Sequence, residues 1–184
     1  MRVGPRTAIL LGALCMAAVL VAPQTAIAVK LKKAYEGPVT TTQPQFFGPP
    51  TIQLKVQSER RDGKLAPVGI VKFQHRAIPL LCPNGKTTAI GSNPGGTASP
   101  GFIPSGGFKI KKRRFALDLT GPDADSAAFP GDQVRLQLNG SVPRRGPLTG
   151  TIRITYALAA GGGTCDSGVV SWSASRVPAF TRPS

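Results

Sequence analysis

The clearest regularity in the chain is an alternation of apolar and polar positions with period two. Val134, Leu136, Leu138, Gly140 and Val142 share one parity, and Leu148, Gly150, Ile152, Ile154 and Tyr156 share it too. A strand points successive side chains to opposite faces, so each set predicts a strand with one buried face. Folding the chain back about Arg145 sets Val142 against Leu148, Gly140 against Gly150, Leu138 against Ile152, Leu136 against Ile154 and Val134 against Tyr156. Every apolar residue then meets an apolar residue and the two glycines meet each other. This predicts an antiparallel hairpin with Pro143 to Pro147 as its loop. Glycine inside a strand marks a bend or a close approach by another group.

Shorter segments repeat the pattern. Ile52, Leu54 and Val56 alternate with polar partners, and Arg61-Asp62-Gly63-Lys64 reads as a turn. Val71 and Phe73 alternate around Lys72, Ile78 to Cys82 follows, and Pro83-Asn84-Gly85 reads as a hairpin turn into Lys86 to Ile90. Residues 91–107 are dense in Gly, Pro and Ser and read as a long loop, a length that is uncommon in a compact domain unless the loop is functional. Phe108 and Ile110 differ in parity from Phe115, Leu117 and Leu119. One uninterrupted strand would put the two sets on opposite faces, so a turn or bulge is expected at Lys111-Lys112-Arg113-Arg114. A last strand is expected over about Gly168 to Arg176, with Val170, Trp172 and Ala174 on one face.

No helical periodicity is sustained between residues 29 and 184. About eight short strands predict an all-β fold, a single antiparallel β-sandwich of jelly-roll-like form with one disulfide. The expected organisation is a signal peptide over 1–28, a flexible Pro/Thr-rich leader over 29–50, the β-domain over 51–178 and a tail over 179–184. The leader carries Lys30, Lys32 and Lys33, with Phe46 and Phe47 placed to tuck against the domain.

The N-terminal segment changes the picture of where the domain works. Arg2 and Arg6 precede an uncharged apolar run from Ala8 to Ala22, Pro23 breaks it, and Ala26-Ile27-Ala28 fits a small-residue cleavage site. These are the three parts of a secretory signal, and cleavage is expected after Ala28. The run is shorter than the roughly 20 apolar residues of a spanning helix, so no membrane span is expected after cleavage. Cys15 follows Leu14 inside the apolar run, and the two arginines are not adjacent, which argues against lipoprotein and twin-arginine signals. The expected location is secreted or envelope-associated, outside the cytoplasm.

Cleavage would leave 21 basic residues against eight acidic ones, a formal charge of +13. A surface so basic attracts polyanions such as anionic wall polymers, nucleic acid or acidic lipids. It would also leave two cysteines, Cys82 and Cys165, 83 residues apart. In an oxidising compartment the pair predicts a disulfide, worth about 4–5 kcal/mol by the chain-entropy model. With His75 as the single histidine, the soft ligands are too few for a metal site, and no cofactor is expected.

The stretch Gly161-Gly162-Gly163-Thr164-Cys165-Asp166-Ser167-Gly168, followed by Val169-Val170-Ser171-Trp172-Ser173-Ala174, resembles a C-x-[ST]-G-x-x-x-W-x-A segment. That segment ends an all-β domain in uncharacterised secreted proteins of high-GC Gram-positive bacteria. In those proteins an upstream cysteine precedes a Gly-containing turn, as Cys82 to Gly85 does here. The resemblance is one of layout over about residues 50 to 176 and implies the fold and the disulfide. It implies no catalytic or binding residues, because that family has no assigned activity.

Candidate chemistry is sparse. His75 lies beside Phe73 and Arg76 with no motif that supplies a nucleophile and an orienting carboxylate, so it reads as structural. Asp123-Ala124-Asp125-Ser126, with Asp132 beyond, lacks the further oxygen ligand and terminal Glu of a calcium loop and reads as a polar turn. Trp172 reads as a core anchor near the disulfide. The sequon Asn139-Gly140-Ser141 falls within a predicted strand. Lys109, Lys111, Lys112, Arg113 and Arg114 form the densest positive run, a polyanion-binding loop in the functional reading and a solubilising loop in the plain one. No interleaved aromatics mark a platform for single-stranded nucleic acid. The expectation is an exported non-catalytic cell-envelope or extracellular β-domain with a binding or structural role. Its alternatives are a polyanion-binding module, through the basic loop, and an unrecognised secreted hydrolase.

Overall fold

The computed structural model describes residues 30–45, 48–61, 63–90, 107–122, 131–159 and 161–178. The expected signal peptide, Phe46 and Phe47, residues 91–106 of the expected long loop, the Asp123–Ser126 run and the tail over 179–184 lie outside them. Among the described residues eleven strands follow one another: β1 (Lys30–Thr40), β2 (Thr51–Arg61), β3 (Lys64–Arg76), β4 (Ile78–Leu81), β5 (Thr87–Ile90), β6 (Phe108–Lys109), β7 (Arg114–Pro122), β8 (Gln133–Ser141), β9 (Leu148–Ala157), β10 (Thr164–Asp166) and β11 (Val170–Val177). All pairings are antiparallel, and there is no helix among the described residues. The all-β, disulfide-closed domain is present, as one antiparallel sheet curled into a half-barrel.

Strand β9 is the hub. One edge pairs along its whole length with β8, which pairs in turn with β7. The other edge is shared, with Leu148 to Ile152 pairing with β11 and Thr155 to Ala157 pairing with β10. From β11 the ladder runs through β1 and β2 to β3 and β6, and from β10 through β4 to β5. The curl brings Phe108 of β6 and Phe115 of β7 together, with ring centroids 5.6 Å apart. The core between the curled walls is made by Ile52, Leu54 and Val56 of β2, Leu136 and Leu138 of β8, and Ile152 and Ile154 of β9, all buried. Each such side chain contributes about 1.5–3 kcal/mol on leaving water.

The β8–β9 hairpin has the register that the alternation predicts, Gly140 opposite Gly150 and Leu138 opposite Ile152. The turns at Gly63 and Gly85 are also present, both glycines having positive φ. Two segments differ from expectation. Residues 30–40 of the expected leader form β1, held between β2 and β11. Lys33, Tyr35, Gly37 and Val39 share the face of Val56, Leu54 and Ile52 of β2, Leu31 at the strand's start is exposed and Ala34 on the other parity is buried, so the alternation is hidden. In β3 the buried apolar residues are Ile70 and Phe73, not Val71 and Phe73, with His75 buried beyond them. The ladder with β2 passes from Lys55↔Lys72 to Val56↔Ile70 and from Gln57↔Gly69 to Ser58↔Pro67, so Val71 and Val68 are bulged out. A bulge adds one residue and reverses parity beyond it. The second bulge turns the Val68 carbonyl outward to accept a hydrogen bond from Ile110 N–H at 2.9 Å.

The paired glycines have a physical cause. Trp172 lies opposite Gly150 on β11, and Phe115 lies opposite Gly140 on β7. Their rings stack over the glycines with centroids 6.1 Å apart. A Cβ on Gly140 would come within 2.3 Å of the Phe115 ring and 2.7 Å of Trp172. On Gly150 it would come within 2.6 Å of Trp172 and 1.9 Å of the Asn139 carbonyl. Gly140→Ala and Gly150→Ala are therefore overpacking changes, costing about 1–3 kcal/mol. Gly150→Ala is expected to cost more, because backbone cannot swing aside as a ring can. Urea unfolding followed by Trp172 fluorescence measures both, and midpoints equal to wild type would refute the cradle.

Candidate functional site

The five cations singled out in the sequence fall at the join between β6 and β7. Lys111 and Arg114 bridge through reciprocal backbone hydrogen bonds of 2.9 Å, and Lys112 and Arg113 form a two-residue turn with φ of 48° and 64°. Both residues are left-handed, as in a type I′ hairpin turn, where Asn-Gly is usual. Side chains other than Gly and Asn adopt that conformation at about 1–2 kcal/mol each. The parity break read in the sequence is this turn.

Arg113 is not a free charge. It is half-buried, and its Nη2 donates to the Pro143 carbonyl at 2.5 Å. Its own carbonyl accepts from Val142 N–H at 2.8 Å. The β6–β7 turn is thereby fastened to the loop between β8 and β9, which carries exposed Arg144 and Arg145. Lys109, Lys111, Lys112 and Arg114 are exposed as well. None of these six cations has an ion pair among the described residues. The sequence reading missed Arg144 and Arg145, because it used Arg145 only as the fold point of a hairpin. The signal available was that this fold point and the Lys111–Arg114 turn lie at the same end of neighbouring strands.

Two grooves flank Lys109 and Lys111. One, of about 800 Å³, runs along Gln57, Glu59, Pro67 and Gly69 to Lys112 and Arg113. The other, of about 720 Å³, is lined by Lys109, Lys111, Arg114, Phe115, Ala116, Asn139 and Gly140 and contains no acid.

On the outer face of β8 and β9 two arginines are neutralised by acids. Arg135 holds Asp118 in a two-pronged pair at 2.8 and 2.7 Å, and Gln137 donates to the same carboxylate at 3.1 Å. The Arg135 hydrogen bonds, and after them that of Gln137, lower the Asp118 pKa from 3.8 to about 2. Arg153 pairs with Asp166 at 2.5 Å. Chiefly through that pair, and with help from Gly168 N–H, the Asp166 carboxyl lies below the usual carboxylate range.

The segment that carries the resemblance has a structural task at every marked position. Cys165 is bonded to Cys82. Ser167, buried, accepts from Ile154 N–H at 2.9 Å and donates to its neighbour's carbonyl at Gly168. Its own N–H reaches the Ile154 carbonyl at 3.0 Å. It therefore fills the gap in the β9 ladder between the β10 and β11 pairings. Gly168 takes φ of 65°, and Trp172 and Ala174 are buried.

The remaining candidates, His75 and Asp132, are both buried. The His75 ring lies 5.8 Å from the Phe73 ring. Asp132 accepts from the Tyr156 hydroxyl at 2.8 Å and from Ala159 N–H at 2.7 Å. Among the described residues no group of three His, Cys, Asp or Glu side chains gathers to hold a metal. No helix among them is long and apolar enough to cross a membrane.

Two measurements check these assignments. Ser167→Ala leaves the buried Ile154 N–H without its partner and is expected to cost about 1–3 kcal/mol in denaturant unfolding; a smaller loss than Ser171→Ala, an exposed control, would refute the ladder role. For Asp118 the folded pKa is the depressed one. Its contribution to stability is thus present above the unfolded value near 3.8 and is lost as the pH falls toward 2. The melting temperature of wild type should drop more steeply between pH 4 and 2 than that of Asp118→Asn. Parallel curves would remove the pair as a source of acid sensitivity.

With the geometry described, comparison with protein-family models, curated proteins and solved structures finds no match to this chain.

Proposed function

We propose that this chain is an exported, non-catalytic binding domain of the cell envelope or extracellular space that captures polyanions at its basic end. One observation carries the reading. The β7–β8 pairing brings two loop tips to one end of the sheet and the Arg113–Pro143 hydrogen bond fastens them, so that Lys109, Lys111, Lys112, Arg114, Arg144 and Arg145 lie together. Neither tip carries an acid. Six unpaired charges held this way repel one another unless an anionic partner neutralises them, and a charged polymer gains by releasing its counterions on contact. The Cys82–Cys165 disulfide is compatible with an oxidising compartment, and the signal-like N-terminus supports export. The stacked rings, the disulfide and the motif serine are all engaged in holding the sheet, which supports a binding role over a catalytic one.

Binding of the disulfide-closed protein to heparin and to inorganic polyphosphate, measured against salt, tests the proposal. Affinity should fall linearly with salt on logarithmic axes, and Lys111→Ser with Lys112→Ser should reduce the slope by about two, near one per phosphate contact. Lys112→Asn separates binding from folding. Asparagine tolerates the left-handed turn, so stability should hold or rise by up to about 1 kcal/mol while binding weakens. Affinity that does not respond to salt, or is unchanged in these variants, would sink the proposal.

A further inference from the structure

Arg114 stands at the corner of a second surface that the charge pattern does not explain. Outward positions of β7, β8, β9 and β11 align across the sheet. Arg114 pairs with Ser141, Ser141 with Thr149, and Thr149 with Ser173. The next row runs from Ala116 to Asn139, Thr151 and Ser171. Strands lie about 4.8 Å apart, so each row places hydroxyl or amide groups at that spacing over about 10 Å. Neither row carries a charge beyond Arg114. In the row after them, Asp118, Gln137 and Arg153 are engaged in the pairs with Arg135 and Asp166. The acid-free groove joins the two surfaces, since it is lined by Lys109, Lys111 and Arg114 on one side and by Ala116 and Asn139 on the other.

We infer that this groove and the hydroxyl rows form one continuous track for an unbranched, hydroxyl-rich polyanion, an anionic polyol or glycan chain. Its charges sit on Lys109, Lys111 and Arg114, and its hydroxyls lie along Asn139, Thr149, Thr151 and Ser171. The inference rests on the polyanion-binding reading and adds the ligand class. Three features of the face select the chemistry. Phe115, though it lines the groove floor, and Trp172 are both buried with their rings stacked on each other in the core, so no exposed aromatic face is offered for stacking bases. Ala116 is the single apolar side chain in the two rows, so nothing is offered for insertion into a lipid surface. Short hydroxyl and amide side chains both donate and accept, which matches a ligand whose uncharged groups are themselves hydroxyls.

The test compares three probes of matched charge and length at one salt concentration: poly(glycerol phosphate), inorganic polyphosphate and single-stranded DNA. A polyuronate serves as a fourth arm, to tell phosphate from carboxylate as the source of charge. Poly(glycerol phosphate) or the polyuronate should bind at least about fivefold tighter than polyphosphate, the equivalent of one net hydrogen bond. The combined variant Thr149→Val, Thr151→Val and Ser171→Ala should bring that ratio to one while leaving polyphosphate affinity and Trp172 fluorescence unchanged. Equal affinities with intact salt dependence would overturn the track and leave the basic end standing as a general polyanion site. DNA binding tightest would overturn it in favour of nucleic acid. Loss of salt-dependent binding to every probe would remove the underlying reading, and the track with it.

Discussion

The structure depends on one packing event, the seating of the Trp172 ring over the paired glycines of β8 and β9. An indole needs more room than a strand row of ordinary side chains leaves, and a dense core yields little space by relaxation. Removing two Cβ atoms side by side makes that room within the sheet itself. The sheet can then fold its walls toward each other, because the ring fills the inside of the bend and stacks with Phe115 on β7, while Val39 of β1 lies opposite Trp172. The glycines weaken their strands locally. The aromatic contact above them offsets that loss with buried area and ring–ring attraction of about 0.5–1.5 kcal/mol.

The second constraint is that β9 serves two partners on one edge. A ladder that changes partner in mid-strand leaves backbone groups facing no strand at the change, and buried groups of that kind must be satisfied. Ser167 meets the need by bonding both the N–H and the carbonyl of Ile154. The chain must also turn sharply there, which the left-handed Gly168 allows. Gln43 donates to the carbonyls of Asp166 and Ser167 from the opposite side, at 3.3 and 3.1 Å. The disulfide two residues earlier and the Arg153–Asp166 pair anchor the same crossing. Cysteine, serine, glycine and tryptophan thus stand at fixed spacing because one crossing and one ring need them.

Much of this was legible in the sequence, for a physical reason. Where a strand has one wet and one dry face, register is dictated by parity, and the β8–β9 pairing follows from apolar positions alone. The turn at Lys111–Arg114 was legible for the same reason, as a parity break. What stayed hidden was what parity does not encode. The bulges at Val68 and Val71 shift β3 by single residues through backbone geometry. Strand β1 was read as a leader because Lys33, half-buried, and Gly37 occupy the face that pairs with the buried positions of β2; a lysine can cover such a face with its apolar stem while its charged head stays in water. At the site, the run from Lys109 to Arg114 was visible as charge. The engagement of Arg113 depends on a tertiary hydrogen bond that no local pattern announces, and the arrival of Arg144 and Arg145 on the pairing of β7 with β8.

That hydrogen bond also explains how an unfavourable turn persists. Lys112 and Arg113 both hold left-handed backbone, and Asn-Gly would fit with less strain. The guanidinium bond to Pro143 and the backbone bond from Val142 to Arg113 together offset part of that cost. Only the first of these needs a side chain at the second turn position; a glycine there would keep the backbone bond and lose the guanidinium one. An Asn-Gly turn would relieve the strain, while the Val142–Arg113 backbone bond and the β7–β8 ladder would still hold the two tips side by side. The strained turn thus sits where six exposed like charges share one end of the sheet, the arrangement on which the proposed polyanion capture rests.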